Sequence, residues 1–184
     1  MSRPVLLALL LLAFAGAAAR AEVRQFAIQS EASDVSFHAT SRLMNADGRF
    51  QRVTGRVAVD PRDLTTARIS LSIEAASIDT GIGMRDNHLR SADFFDVQRF
   101  PAITFESVRV ETAGRHATVT GRLTMRGVTR EIAVPVDVTL SDVAIVATGE
   151  FVVNRGEYGI AYNSFVNPIG NEVRVTFTFR AHTS

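Results

Sequence analysis

Histidine and carboxylate are the side chains of this chain that could carry acid–base or metal chemistry, and their spacing supports neither. The four His stand at positions 38, 88, 116 and 182, too dispersed for the clustered ligands of a metal site. His38 and His182 fall on the solvent phase of alternating segments and His116 at a turn, so each is expected to serve structure. His88 differs, because it stands in an irregular stretch with Asp86, Asp93 and Asp96. Asp86 and His88 are two residues apart, which on a helix points them to different sides and makes a poor acid–base pair. Asp93 and Asp96 flank Phe94-Phe95, the arrangement expected of caps on a short turn. Nucleophile motifs are missing: there is no G-x-S-x-G elbow and no S-x-x-K, and the absence of Cys removes thiolates and disulfides together. Gly81-Ile82-Gly83 lacks the third glycine and the βαβ setting of a dinucleotide loop. No catalytic constellation, cofactor or metal site is expected. What the sequence holds in surplus is ordered apolar surface.

That surface is organised with period two. Ile69, Leu71, Ile73 and Ala75 alternate with Arg68, Ser70, Ser72 and Glu74. Ile132, Val134, Val136, Val138 and Leu140 do the same across residues 131–140, and Val173, Val175, Phe177, Phe179 and Ala181 across residues 172–181. Val35, Phe37 and Ala39 oppose Ser36, His38 and Thr40. Such alternation marks strands with one wet and one buried face. Weaker runs cover residues 23–28, 50–59, 103–111, 117–125 and 143–153. In residues 103–110 the apolar phase slips between Phe105 and Val108, which predicts a bulge. Pro135 sits on the outward phase and predicts an edge or bulge there. Asp47-Gly48, Asp60-Pro61, Ala113-Gly114 and Arg126-Gly127 are natural breaks. The pattern predicts eight or nine antiparallel strands, which either stack as a sandwich or close as a barrel. Residues 79–101 alone lack alternation. Residues 84–90 can form two helical turns, residues 93–96 one more, and Asp86 is placed to pair with Arg90.

Composition sets further bounds. Arg3, the apolar run of residues 5–14 and the small residues Ala17 to Ala21 read as a cleavable export signal over residues 1–21. Residues 22–184 then form one domain, large enough for its own core. Arg supplies all 20 basic residues against 19 acids. Losing Arg3 and Arg20 takes the formal net charge from +1 to −1, which excludes the basic footprint of a nucleic-acid binder. No apolar run is long enough to span a membrane as a helix, and no stable membrane anchor is expected.

In the irregular segment the chain resembles the YceI-like proteins. The residues that carry the resemblance are Ser77-Ile78-Asp79-Thr80-Gly81, Arg85-Asp86-Asn87-His88-Leu89-Arg90-Ser91, Asp93-Phe94-Phe95-Asp96-Val97 and Phe100-Pro101-Ala102-Ile103-Thr104-Phe105. Gly121-Arg122-Leu123-Thr124-Met125-Arg126-Gly127-Val128-Thr129, Tyr158-Gly159-Ile160, Asp34-Val35-Ser36-Phe37 and Gly48-Arg49-Phe50 extend it over residues 22–184. The stretch of residues 137–149 is short against the family pattern, and residues 163–170 match only part of it.

The resemblance implies an all-β protein, an eight-stranded antiparallel lipocalin-like barrel with a short helical segment near residues 84–96. It implies an elongated apolar cavity, a long-chain isoprenoid or similar amphiphilic lipid as partner, the periplasm as location and no catalysis. A homodimer is compatible with it. On this reading Phe37, Leu71, Ile73, Phe105, Phe177 and Phe179 line a tail cavity, with Phe94 and Phe95 at its rim. Arg85 and Arg90 are candidates for a pyrophosphate head through bidentate bonds, and His88 or Tyr158 for a quinone head. Two other classes stand beside the carrier: a broad scavenger of envelope amphiphiles, and an enzyme acting on a bound lipid through His88.

Overall fold

The computed structural model describes residues 22–162, 165 and 167–184. The export signal read in residues 1–21 lies outside them, as do Asn163, Ser164 and Val166 of the late loop. The strands are β1 Arg24–Ile28, β2 Asp34–Ser41, β3 Ala46–Phe50, β4 Val53–Asp60, β5 Asp63–Glu74, β6 Ile78–Asp79, β7 Ala102–Ala113, β8 His116–Met125, β9 Val128–Leu140, β10 Ala144–Asn154 and β11 Ile169–Thr183, with one helix, α1 Gly83–Arg90, between β6 and β7.

These 11 segments make eight staves of one closed barrel. β1 bends into β2 at the 3-10 turn Ser30–Ala32, β3 into β4 at Gln51 and Arg52, and β5 into β6 at the 3-10 turn Ala75–Ser77. Each bent pair acts as a single stave. Every stave runs antiparallel to the one before it, and the first meets the last through Phe26↔Thr183 and Ile28↔Ala181 below and Val35↔Phe177 and Phe37↔Val175 above. Closure leaves no sheet edge of the ring unpaired along its whole length.

The period-two segments behave as expected. The inward residues named for β2, β9 and β11, and Ile69, Leu71 and Ile73 of β5, all face the barrel interior. Ala75 leaves the strand and is buried in the 3-10 turn that follows. The bulge in β7 falls between Ser107 and Arg109. There the Ser107 hydroxyl accepts the Ile69 N–H at 2.8 Å, a bond from a neighbouring strand that backbone carbonyls normally receive. Pro135 stands one residue beyond Val136↔Gly149, where the β9–β10 ladder stops, while β9 stays paired to β8 on its other side. A residue with no N–H fits the side that has no partner.

The two helical turns expected of residues 84–90 form as α1, and the further helical turn expected at residues 93–96 does not. Ser91 ends α1 by bonding the His88 carbonyl with both its N–H (3.0 Å) and its hydroxyl (2.7 Å), and residues 92–95 form turns. Asp86 does not pair with Arg90. The Asp86 carboxylate is buried and accepts the Thr80 N–H at 2.9 Å and the Thr80 hydroxyl at 2.5 Å. Arg90 donates to the carbonyls of Ala76 and Ile78. Both side chains therefore fasten α1 to the 75–80 bend rather than to each other.

At the end of the barrel opposite α1, Asp60 locks the turn from β4 to β5. Its Oδ1 accepts the Arg62 backbone N–H and Nε at 3.0 Å each, and Oδ2 accepts Nη2 at 2.8 Å. These bonds hold the carboxyl down at about 2. A carboxyl lowered on folding stabilises the fold above its unfolded value and loses that contribution as pH falls through its folded value. The apparent stability is therefore expected to fall as pH drops from about 4 to about 2. Asp60→Asn is expected to be less stable at neutral pH and to show a flatter acid slope in denaturant titrations. An unchanged slope would contradict this role.

Candidate ligand cavity

The inward faces of all eight staves surround a cavity of about 280 Å³. Among the described residues on its wall, Thr104 and Arg155 alone have polar side chains. Small-molecule sites span roughly 300–1,000 Å³, so this lumen suits one narrow apolar chain. An apolar void of this kind stays dry unless a ligand fills it.

All eight residues predicted for the lipid tail stand on the wall: Phe37, Leu71, Ile73, Phe94, Phe95, Phe105, Phe177 and Phe179. Phe50 and Phe151 join them. Bulky side chains pointing into an eight-stranded barrel would ordinarily fill it. Here several lie flat, because a glycine occupies the inward position beside them on the next strand. Phe37 lies over Gly48, Leu71 over Gly55, Phe105 over Gly121 and Phe177 over Gly149. A β-carbon at Gly48 would come within 2.5 Å of the Phe37 ring, and one at Gly149 within 2.6 Å of the Phe177 ring. At Gly121 the Glu106 carbonyl oxygen would also stand only 2.7 Å away. The rings take the volume that a side chain on the neighbour would have used. The lumen stays open as a consequence.

Residues 80–101 cap one end. Leu89, Phe94 and Phe95 turn inward and join the wall. Phe95 meets Phe50 edge to face at 5.7 Å, and Phe50 meets Phe37 at 5.9 Å, which ties the cap to the first two staves. On the other side His88, Phe94 and Tyr162 form a cluster with centroid separations of 4.8–5.0 Å. Arg126, at the β8–β9 turn, donates to the carbonyls of Ala92 (2.6 Å) and Gly159. The cap is thus held by ring contacts and by the paired hydrogen bonds of Asp86, Arg90 and Arg126.

The four head-group candidates stand behind the wall rather than on it. Arg85 donates to the Thr80 hydroxyl (2.8 Å) and carbonyl (3.0 Å). Arg90 holds the 75–79 bend. His88 Nε2 lies 3.1 Å from Asp93. Tyr158 is buried, its hydroxyl has no hydrogen-bond partner, and burial with nearby Glu157 pushes its pKa up. The other His serve as expected: His38 and His116 pair across strands with Asp47 and Asp137, and His182 is exposed. Among the described residues no three potential metal ligands cluster.

Arg155 is the polar wall residue that motif reading overlooks. It is 6 % exposed. Nε donates to the Gly170 carbonyl, Nη1 to those of Ile160 and Tyr162, and Nη2 to that of Ile169, all at 2.8–3.0 Å. None of these partners is a carboxylate. Burial lowers its pKa accordingly. Its signal was present in the phase of β10: Ile145, Ala147, Gly149, Phe151 and Val153 face inward, and Arg155 continues that parity.

The family model for the YceI-like domain matches residues 26–181. A UPF0312 protein of Pseudomonas aeruginosa (strain LESB58) is 38% identical over 87 residues, 47% of this chain and 46% of that protein. Protein YceI of Salmonella newport is 36% identical over 85 residues, 46% of this chain and 44% of that protein. The matched stretch thus spans under half the length of these curated relatives. Among solved structures, BcnA of Burkholderia cenocepacia superposes with a TM-score of 0.77 at 24% identity, covering 83% of this chain and 98% of that one. A polyisoprenoid binding domain from Saccharophagus degradans gives 0.69 at 17% identity, covering 89% and 100%. At these identities the structures share the fold.

The glycine–ring pairs predict a coupling. Gly121→Ala is expected to cost about 1–3 kcal/mol through overpacking, with Tm falling by about 2–4 °C for each kcal/mol. Adding Phe105→Leu is expected to recover part of that loss, so that the double variant is more stable than the sum of the single changes predicts. Additive losses in thermal denaturation would show that the ring and the glycine are independent.

Proposed function

The chain belongs to the YceI-like family, and from that membership and its cavity we propose that it is an exported carrier which encloses one long-chain isoprenoid or similar amphiphilic lipid. The observation that carries this reading is a closed barrel whose lumen is apolar but for Thr104 and Arg155. The polyisoprenoid-binding fold neighbour supports the ligand class. The basic start, apolar core and small-residue site of residues 1–21 support export, and the family membership supports the periplasm as destination.

Each methylene taken from water into such a lumen contributes about 0.8 kcal/mol. A chain leaving a bilayer gains nothing comparable, because lipid tails are already apolar. A carrier of this kind holds its lipid firmly against water yet can return it to a membrane. A lumen near 280 Å³ accommodates one narrow chain at a time. The reading assigns His88 no catalysis, since that ring is packed between Phe94 and Tyr162 behind the wall.

For the polar end of the ligand we assign Arg155. Four of its five N–H groups donate to backbone carbonyls, and the side chain stands at the capped end of the lumen. Arg85 and Arg90 are committed to the 75–80 bend.

Two measurements test this reading. Ile73→Trp combined with Phe179→Trp is expected to block the lumen, so that lipid extracts contain no co-purifying prenyl chain while far-UV circular dichroism is unchanged. Bound lipid retained by that folded variant would refute the cavity as the site. For the head group, a prenyl phosphate and the prenyl alcohol of equal length are compared. Wild type is expected to prefer the phosphate by at least about tenfold, the scale of one hydrogen bond to a charged group. That preference is expected to collapse in Arg155→Gln and persist in Arg85→Gln. The reverse pattern would return the head group to the helical segment.

A further inference from the structure

Nine large apolar side chains are exposed among the described residues, and their identities sort by position. Four are Val, at 23, 108, 143 and 152. The other five are Leu43, Met44, Ile82, Met84 and Phe165, and all five belong to the capped end. Met84 is 85% exposed and Phe165 is fully exposed.

Three separate tips supply them: the β2–β3 turn, the start of α1, and the loop before β11. Hydrogen bonds bring the tips together. The Arg42 N–H donates to the Pro168 carbonyl at 3.2 Å and the Leu43 N–H to the Asn167 side chain at 2.8 Å. Arg85 reaches the Asn45 carbonyl at 3.5 Å. The two charged side chains within residues 42–45 and 82–85 are Arg42 and Arg85, both cationic. At the opposite end Asp60 pairs with Arg62 and Asp142 with Arg24. Directly beneath the β2–β3 turn, the cross-strand pair Ala39↔Ala46 lines the lumen, and Leu89 of the cap faces it.

We infer that the capped end is a docking surface for an anionic lipid bilayer, with Leu43, Met44, Ile82, Met84 and Phe165 entering the interface and Arg42 facing the headgroups. Contiguous exposed Leu, Met, Ile and Phe edged by cations is the composition of an interfacial membrane contact. Cations complement anionic headgroups, and the apolar tips adjoin the lumen, so a chain released at this end would pass between bilayer and barrel without crossing water. The purpose of this surface rests on the lipid-carrier reading; its existence as a membrane contact can be measured without it.

The chain has no Trp, so one introduced residue reports alone. Met84→Trp and Val143→Trp place reporters at opposite ends. With vesicles of phosphatidylcholine and phosphatidylglycerol, the Met84→Trp emission is expected to shift to the blue and to be quenched by brominated acyl chains, while Val143→Trp is unmoved. In vesicle flotation, Leu43→Ser with Met44→Ser is expected to lower partitioning by at least about tenfold, since one inserted methylene is worth about fourfold. Arg42→Glu is expected to weaken binding to the anionic vesicles and not to phosphatidylcholine alone. No shift at Met84→Trp, or equal shifts at both ends, would overturn the inference. A blue shift that follows protein concentration without vesicles would overturn it in favour of a second copy of the chain. Lipid content of the same samples is read by extraction. Docking by a protein that never carries lipid would sink the carrier reading alone, and carried lipid without docking would sink the surface alone.

Discussion

A void inside a protein loses the dispersion contacts its lining would otherwise make, and interiors close such gaps wherever their side chains allow. The rest of this structure depends on how that tendency is held off. Eight staves enclose a space that ordinary inward side chains would fill. Four glycines on inward positions receive Phe37, Leu71, Phe105 and Phe177 against the wall. Backbone closure through β1 and β11 prevents the ring from flattening. The rings keep their burial, and the lumen is defined by the wall rather than by misfit.

The capped end balances a different set of forces. Arg155 is a buried cation without a carboxylate partner, and isolated buried charge is costly. Four backbone carbonyls of residues 160–170 solvate it. The same bonds join Ile160 and Tyr162 to the first residues of β11. The cap is fastened by ring contacts and by the paired hydrogen bonds of Asp86, Arg90 and Arg126.

Much of the wall was legible in the sequence because strands alternate without exception where one side is dry and the other wet. That is why the inward sets of β2, β9 and β11 could be read directly, and why the phase slip in β7 marked its bulge. The cap was legible only as an interruption. Its tertiary bonds, such as Asp86 to Thr80 and Arg90 to the 75–79 bend, join residues whose spacing suggested an i,i+4 pair instead. Arg155 and the four glycines were hidden for another reason. Charge and glycine read as solvent and turn signals when taken singly, yet the phase of β3, β4, β8 and β10 places them inward. Phase was the stronger signal than residue type.

The central claim is that the lumen holds a single lipid chain. Native mass spectrometry of the protein purified without detergent, with the released ligand identified after denaturation, tests it most directly. The account predicts one long-chain isoprenoid species at near-unit occupancy. An empty protein that takes up no added prenyl lipid would contradict it.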